Sequence, residues 1–184
     1  MRRGMILGGV GLLLSACAAP DQTVIKETAG GTNPDGFLGS GVGRYLDPQA
    51  EALAEVAEVQ RTEDALIVSL TEGFLFDSGS ETLNPGASER INQIGDIIKA
   101  YPEDRVVVVA HTDNRGSWFY NKQLSERRAQ TVRLHMVGRG VPSAHIEAVG
   151  EGESQPLVSN LTEEGRGKNR RIEIRISVIQ TAHP

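Results

Sequence analysis

The chain has one cysteine, Cys17, in 184 residues, so no disulfide within the chain can staple it. Its basic residues never gather into a polybasic run, and the formal net charge is −5. Both features argue against a nucleic-acid partner, which calls for a concentrated positive surface. The longest apolar run, Met5 to Leu14, is too short to cross a bilayer as a helix. No GxSxG elbow and no HExxH helix occurs, and "HTD" (His111 to Asp113) offers only two candidate metal ligands with nothing to complete them. These absences point to a protein that is not an enzyme and needs no metal or cofactor. An apolar fraction of 39% is enough for a real core, and the length suits one ordinary domain with an additional segment at an end.

The additional segment is N-terminal. "MRRGMILGGVGLLLSAC" has two arginines, then the apolar run, then small residues, the layout of a secretory leader. Its end, "LSAC", resembles a bacterial lipobox, which implies cleavage after residue 16 and lipidation of Cys17. Lipidation would also remove a free thiol from an oxidising compartment. Each buried acyl methylene contributes roughly 0.8 kcal/mol, so several chains on one residue anchor a protein without spanning the membrane. Ala18, rather than an aspartate, follows the cysteine, and by that resemblance the outer membrane is favoured, with the domain facing the periplasm. Residues 17–46 are rich in Gly, Pro, Thr and Asp and read as a flexible tether. The "GSGVG" cluster within it lacks the strand before and the lysine after that a phosphate cradle needs. Residues 47–60 read as a short amphipathic helix, with Asp47 as cap and Pro48 in the first turn, and 61–184 as the domain proper.

Within the domain, "ALIVSL" (Ala65 to Leu70) and "GFLFD" (Gly73 to Asp77) read as strand. A helix follows from Asn84 and Pro85 to Pro102, with Ala87, Ile91, Ile94 and Ile98 on one face. "RVVVVA" (Arg105 to Ala110) is a continuous apolar run, the sign of a strand buried on both faces. A second helix runs from about Ser117 to Arg139, stopped by Gly140 and Pro142. "HIEAVG" is strand, and in "RRIEIRISVI" the residues Ile172, Ile174, Ile176 and Val178 share one face. The predicted class is α+β, a β-α-β-α-β-β mixed sheet with two main helices packed on one face.

The second helix is polar where it should dock. At about 100° per residue, the inward stripe of Ala129, Val132 and Met136 extends back through Asn121, Ser125 and Arg128, while Glu126, Arg127 and Arg133 point away. A guanidinium aimed at a sheet costs several kcal/mol unless it meets an anion or water. Asp113 lies just past the carboxyl end of "RVVVVA", where open α/β sheets bind ligands. Two arrangements are open: an internal Asp113–Arg128 ion pair, or a zwitterionic ligand with its cation at Asp113 and its carboxylate at Arg128.

"FLFDSGSETLNPGA", "HTDNRGSWFYNKQLSERRAQTV", "GVPSAHIEAVGEGESQPLVSN" and "EGRGKNRRIEI" resemble the OmpA-like C-terminal domain over roughly Ala65 to Val178. The lipobox, the tether and "GRYLDPQAEAL" are similar to small YiaD-type lipoproteins. The resemblance implies binding of peptidoglycan through the diaminopimelate of its stem peptide. Asp113 matches the ligand-binding aspartate and Arg128 the arginine that takes the carboxylate. Thr112, Asn114, Asn121, Leu124, Ser125 and Arg170 match surrounding positions, and Asp77 a position at the rim. The chain departs from the pattern at Ala110, where a glycine is usual, and in "RGSWF", which brings Arg115, Trp118 and Phe119 to the loop. Domains of this fold also dock partner proteins, so an envelope protein partner is the alternative.

Overall fold

The computed structural model describes residues 41–178, with side chains from Leu46 onward. The expected leader, Cys17 and the tether as far as residue 40 lie outside the described residues. In chain order the elements are α1 (Gly41–Ala54), β1 (Glu58–Arg61), β2 (Ala65–Thr71), the single turn α2 (Glu72–Leu75), α3 (Pro85–Ile98), β3 (Asp104–His111), α4 (Trp118–Gly138), β4 (Ile146–Gly152), α5 (Glu163–Asn169) and β5 (Arg171–Val178). The strands form one sheet in the order β1-β2-β5-β3-β4, and only the β3–β4 pair is parallel. The expected mixed sheet is therefore present, extended by β1 at one edge. β5, last in the chain, is inserted between β2 and β3, which sets Arg171 opposite both Thr71 and His111.

Period-two alternation builds the buried face. Leu66, Val68 and Leu70 of β2, Val106, Val108 and Ala110 of β3, and Ile172, Ile174 and Ile176 of β5 all point into the core. Ala87, Ile91, Ile94 and Ile98 of α3 and Ala129, Val132 and Met136 of α4 meet them there. Each of these large aliphatic side chains contributes roughly 1.5–3 kcal/mol by leaving water. α4 lies so close to β4 that a Cβ on Gly150 would stand 2.2 Å from the backbone nitrogen of Glu126. Ser125 completes that contact: its hydroxyl accepts the Gly152 N–H at 2.9 Å and donates to the Lys122 carbonyl at 2.8 Å.

Four local expectations change. The helix expected at 47–60 runs instead from Gly41 to Ala54, taking in part of the expected tether, with Pro48 inside it. Leu46, Gln49, Ala50 and Leu53 form its inward stripe, and Gln49 Nε2 donates to Asp104 Oδ2 at 2.7 Å. Burial of Leu46 and Leu53, at roughly 1.5–3 kcal/mol each, offsets the about 3 kcal/mol that an interior proline costs. Residues 58–60, expected to be helical, belong to β1.

"GFLFD" is not a strand. Leu75 and Phe76 are adjacent in sequence and both buried, which a strand with one covered face cannot arrange. Glu72 to Leu75 form a helical turn instead, and Phe76 bridges back to Leu83. β3 is buried on both faces only in its second half, because Arg105 is exposed and Val107 half-buried. α5, about two turns capped by the Thr162 side chain, was not expected.

His111 lies beside a charged layer formed by β5. Glu173 accepts from Arg171 at 2.8 Å and from Arg175 at 2.7 Å, and His111 Nε2 is 3.7 Å from Glu173. Burial, reinforced by the Arg171 charge, pushes the His111 pKa down to about 4, so the imidazole is neutral at pH 7. Burial opposes the Glu173 charge, yet the hydrogen bonds from Arg175 and Arg171 hold its carboxyl below the usual range.

Candidate functional site

The loop between β3 and α4 is ordered by its own side chains. Asp113 Oδ1 accepts the Arg115 N–H at 2.9 Å, an Asx turn, and Asn121 Nδ2 donates to the Asp113 carbonyl at 3.3 Å. Ser117 caps α4 by accepting the Tyr120 N–H at 3.2 Å. With the cap placed there, the helical repeat turns Asn121, Leu124 and Arg128 inward, whereas Arg127 points out and pairs with Glu81 at 2.5 Å.

These residues border an open cleft of about 440 Å³. Its walls are Glu72, Gly73 and Phe76 from the α2 region, Ser78 and Gly79 from the following loop, Thr112, Asp113 and Arg115 from the β3–α4 loop, Tyr120, Asn121, Leu124 and Arg128 from α4, and Glu163 and Arg170 from α5 and its end. Positive and negative groups alternate around it. Arg170 donates to Asp113 Oδ2 at 2.6 Å and to Glu163 at 3.1 Å, and Arg115 lies 3.0 Å from the other Glu163 oxygen. Hydrogen bonds from Arg166 and Arg170 hold the Glu163 carboxyl below its ordinary pKa, and the bond to Asp113 raises that of Arg170.

Arg128 sits deepest. Its side chain is only 2% exposed, its Nε donates to the Ser80 carbonyl at 2.8 Å, and its guanidinium lies 5.1 Å from the centre of the Phe76 ring. Its anion is Glu72, whose Oε1 is 2.9 Å from Arg128 Nη2. Burial raises the Glu72 pKa, and the attraction of Arg128 only partly opposes this.

The internal Asp113–Arg128 ion pair is thus not formed; each charge has a different partner. Of the nine positions expected at the site, Thr112, Asp113, Asn121, Leu124, Arg128 and Arg170 border the cleft. Ser125 does not, being fully buried in the α4–β4 contact. Asn114 is exposed beside the cleft. Asp77 has an exposed side chain and turns its backbone carbonyl toward Arg128 Nη2 at 3.5 Å. Glu72, Tyr120 and Glu163 were missed. Glu72 carries no signal because it stands at the head of a segment that reads as strand. Tyr120 does, lying in the first turn of the expected helix beside Asn121, whereas Glu163 opens α5, a helix that was not expected. Trp118 and Phe119 are 59% and 64% exposed. Among the described residues, no group of three or more His, Cys, Asp or Glu side chains could hold a metal ion, and no helix is long and apolar enough to cross a membrane.

The chain is 35% identical over 145 residues to the Escherichia coli protein named "Probable lipoprotein YiaD", covering 76% of this chain and 66% of that one. It is 36% identical to the peptidoglycan-binding protein ArfA of Mycobacterium tuberculosis, over 87% of this chain and 49% of ArfA, so it spans about two thirds and about half of these relatives' lengths. Among solved structures, the cell wall anchor of the type VI secretion system from Pseudomonas aeruginosa superposes with a TM-score of 0.62 at 27% identity, over 74% of this chain and 96% of that one. The OmpA family model matches residues 75–170, which include the β3–α4 loop, the inward face of α4 and Arg170, and the chain belongs to that family.

Proposed function

We propose that this protein binds peptidoglycan non-covalently through the diaminopimelate of the stem peptide, and that lipid on Cys17 fixes it to the outer membrane, so that it ties membrane to wall without catalysis. The observation that carries this reading is the convergence of Asp113 and Arg128, charges of opposite sign from different elements, on one cleft. The zwitterionic end of diaminopimelate has an ammonium for Asp113 and a carboxylate for Arg128, and Asn121 and Thr112 border the same cleft. Family membership and the name of the relative ArfA support the same class of ligand.

A few charge-assisted hydrogen bonds, about 1.5–3 kcal/mol each, give modest affinity for a single peptide. Tethering makes that sufficient, because a released domain meets the next stem peptide of the polymer at high effective concentration.

The test is co-sedimentation of the chain from Ala18 onward with purified sacculi. Asp113→Asn keeps the acceptor for the Arg115 N–H and removes the charge. The native chain should pellet, and the variant, still folded by circular dichroism though without its ion pair to Arg170, should pellet at least tenfold less. Equal pelleting would remove Asp113 from the site.

One observation favours a second role, a protein contact: Trp118 and Phe119, which precede the cleft residue Tyr120 in the first turn of α4, are exposed, and Leu161, two residues before Glu163, is 90% exposed. Large apolar side chains left exposed on segments that border a cleft are candidates for an interaction surface.

A further inference from the structure

Two arginines of the cleft share one carboxylate that belongs to the protein itself. Arg170 Nη2 donates to Glu163 Oε1 at 3.1 Å, and Arg115 Nη2 lies 3.0 Å from Glu163 Oε2. All three residues border the cleft, and all three side chains are accessible, with exposures of 65% for Arg115, 58% for Glu163 and 31% for Arg170. Asp113 ties both arginines to the site. Its Oδ2 accepts from Arg170 Nη1 at 2.6 Å, and its Oδ1 accepts the backbone N–H of Arg115 at 2.9 Å. The two cations therefore keep an attachment at the cleft if Glu163 leaves. Glu163 in turn has a partner to retain: Arg166, one turn along α5, donates to its Oε2 from Nε at 3.1 Å and from Nη2 at 2.8 Å. Exchanging Glu163 for a carboxylate of the ligand thus leaves no charge without a counter-ion, and the exposed ion pair that breaks contributes little to stability.

We infer that Arg115 and Arg170 form a second carboxylate subsite of the cleft, which Glu163 fills until a carboxylate of the ligand displaces it. This inference rests on the reading of the cleft as a diaminopimelate site. The zwitterionic end of diaminopimelate brings one carboxylate, for Arg128. A stem peptide that ends in diaminopimelate carries a second, on its main chain. Where another residue follows, the same carbonyl belongs to an uncharged amide and offers the arginines no charge-assisted bond. Arg115 is then a specificity residue that favours peptides trimmed to end at diaminopimelate, and it lies in "RGSWF", where the chain departs from the family pattern.

The experiment is calorimetric titration of the chain from Ala18 onward, which contains every described residue, with a stem peptide ending in diaminopimelate whose main-chain carboxyl is either free or a primary amide. The native chain should bind the free acid about tenfold more tightly, the worth of one charge-assisted hydrogen bond. Arg115→Gln keeps the backbone N–H that Asp113 accepts, and it should reduce the preference to about threefold or less, because Arg170 alone remains. Glu163→Gln should act in the opposite direction and bind the free acid about threefold more tightly than the native chain, since the internal competitor has lost its charge. Equal binding of the two peptides by the native chain, an undiminished preference in Arg115→Gln, or binding of the free acid by Glu163→Gln no tighter than by the native chain would overturn the inference while leaving the diaminopimelate reading intact. No binding of either peptide to the native chain would overturn both.

Discussion

Replacing Arg128 with alanine is expected to lower folding stability by about 3–5 kcal/mol, the usual cost of removing one partner of a buried ion pair. Arg128 closes the cleft floor: it joins Glu72 at the start of α2 to the Ser80 carbonyl in the loop before α3, and its guanidinium covers Phe76. Alanine would leave the Glu72 carboxylate buried without its cation and the Ser80 carbonyl without the Arg128 donor. Loss of ligand binding in this variant therefore mixes two effects, and a double substitution separates them. Glu72→Leu with Arg128→Met removes both charges and keeps apolar volume, so it should recover most of the lost stability while leaving ligand binding abolished. Chemical denaturation of the native chain, the single variant and the double variant supplies the comparison. A loss below about 1 kcal/mol in Arg128→Ala would mean that the pair with Glu72 is not closed in solution.

Gly150→Ala should be nearly as damaging, for a steric reason. The added Cβ would lie 2.2 Å from the Glu126 nitrogen, 2.6 Å from Ser125 Oγ and 2.7 Å from Glu126 Cα. Two of the three are backbone atoms, which cannot turn aside as a side chain can, so α4 has to lift from β4. The cost is about 3 kcal/mol, the top of the ordinary range for overpacking, or a fall in melting temperature of roughly 6–12 °C. Because α4 carries Asn121 and Arg128, ligand affinity should fall with it. Gly138→Ala is the control: no heavy atom lies within 4 Å of its added Cβ, and stability should be unchanged or slightly raised. Equal melting temperatures for Gly150→Ala and the native chain would contradict the close α4–β4 contact.

What could be read from the sequence is what local periodicity controls. The stripe of Ala87, Ile91, Ile94 and Ile98, the alternation through Ile176 and the choice of Arg128 over Arg127 all follow from repeats of 3.6 or 2 residues. The partners of those residues do not. Arg128 meets Glu72 because β2 ends in a helical turn whose first N–H donates to the Arg170 carbonyl at 2.9 Å, a contact between segments almost a hundred residues apart. Asp113 meets Arg170 because β5 is inserted beside β3, a matter of strand order on which spacing is silent. Ser125 shares the inward stripe with Arg128, yet its depth against Gly152 makes it a packing residue and removes it from the cleft. Pro48 gave a local signal that tertiary burial of Leu46 overrode.

The most direct measurement of the central claim is a nuclear magnetic resonance titration of the chain from Ala18 onward with a stem peptide ending in diaminopimelate. Saturable shifts are expected at the backbone amides of Thr112, Asp113, Asn121 and Arg170 and at the Arg128 Nε–H, and they should vanish in Asp113→Asn. Saturable shifts confined to Trp118, Phe119 and Leu161 would place the peptide outside the cleft, and an unchanged spectrum at millimolar peptide would contradict the cleft as a peptidoglycan site.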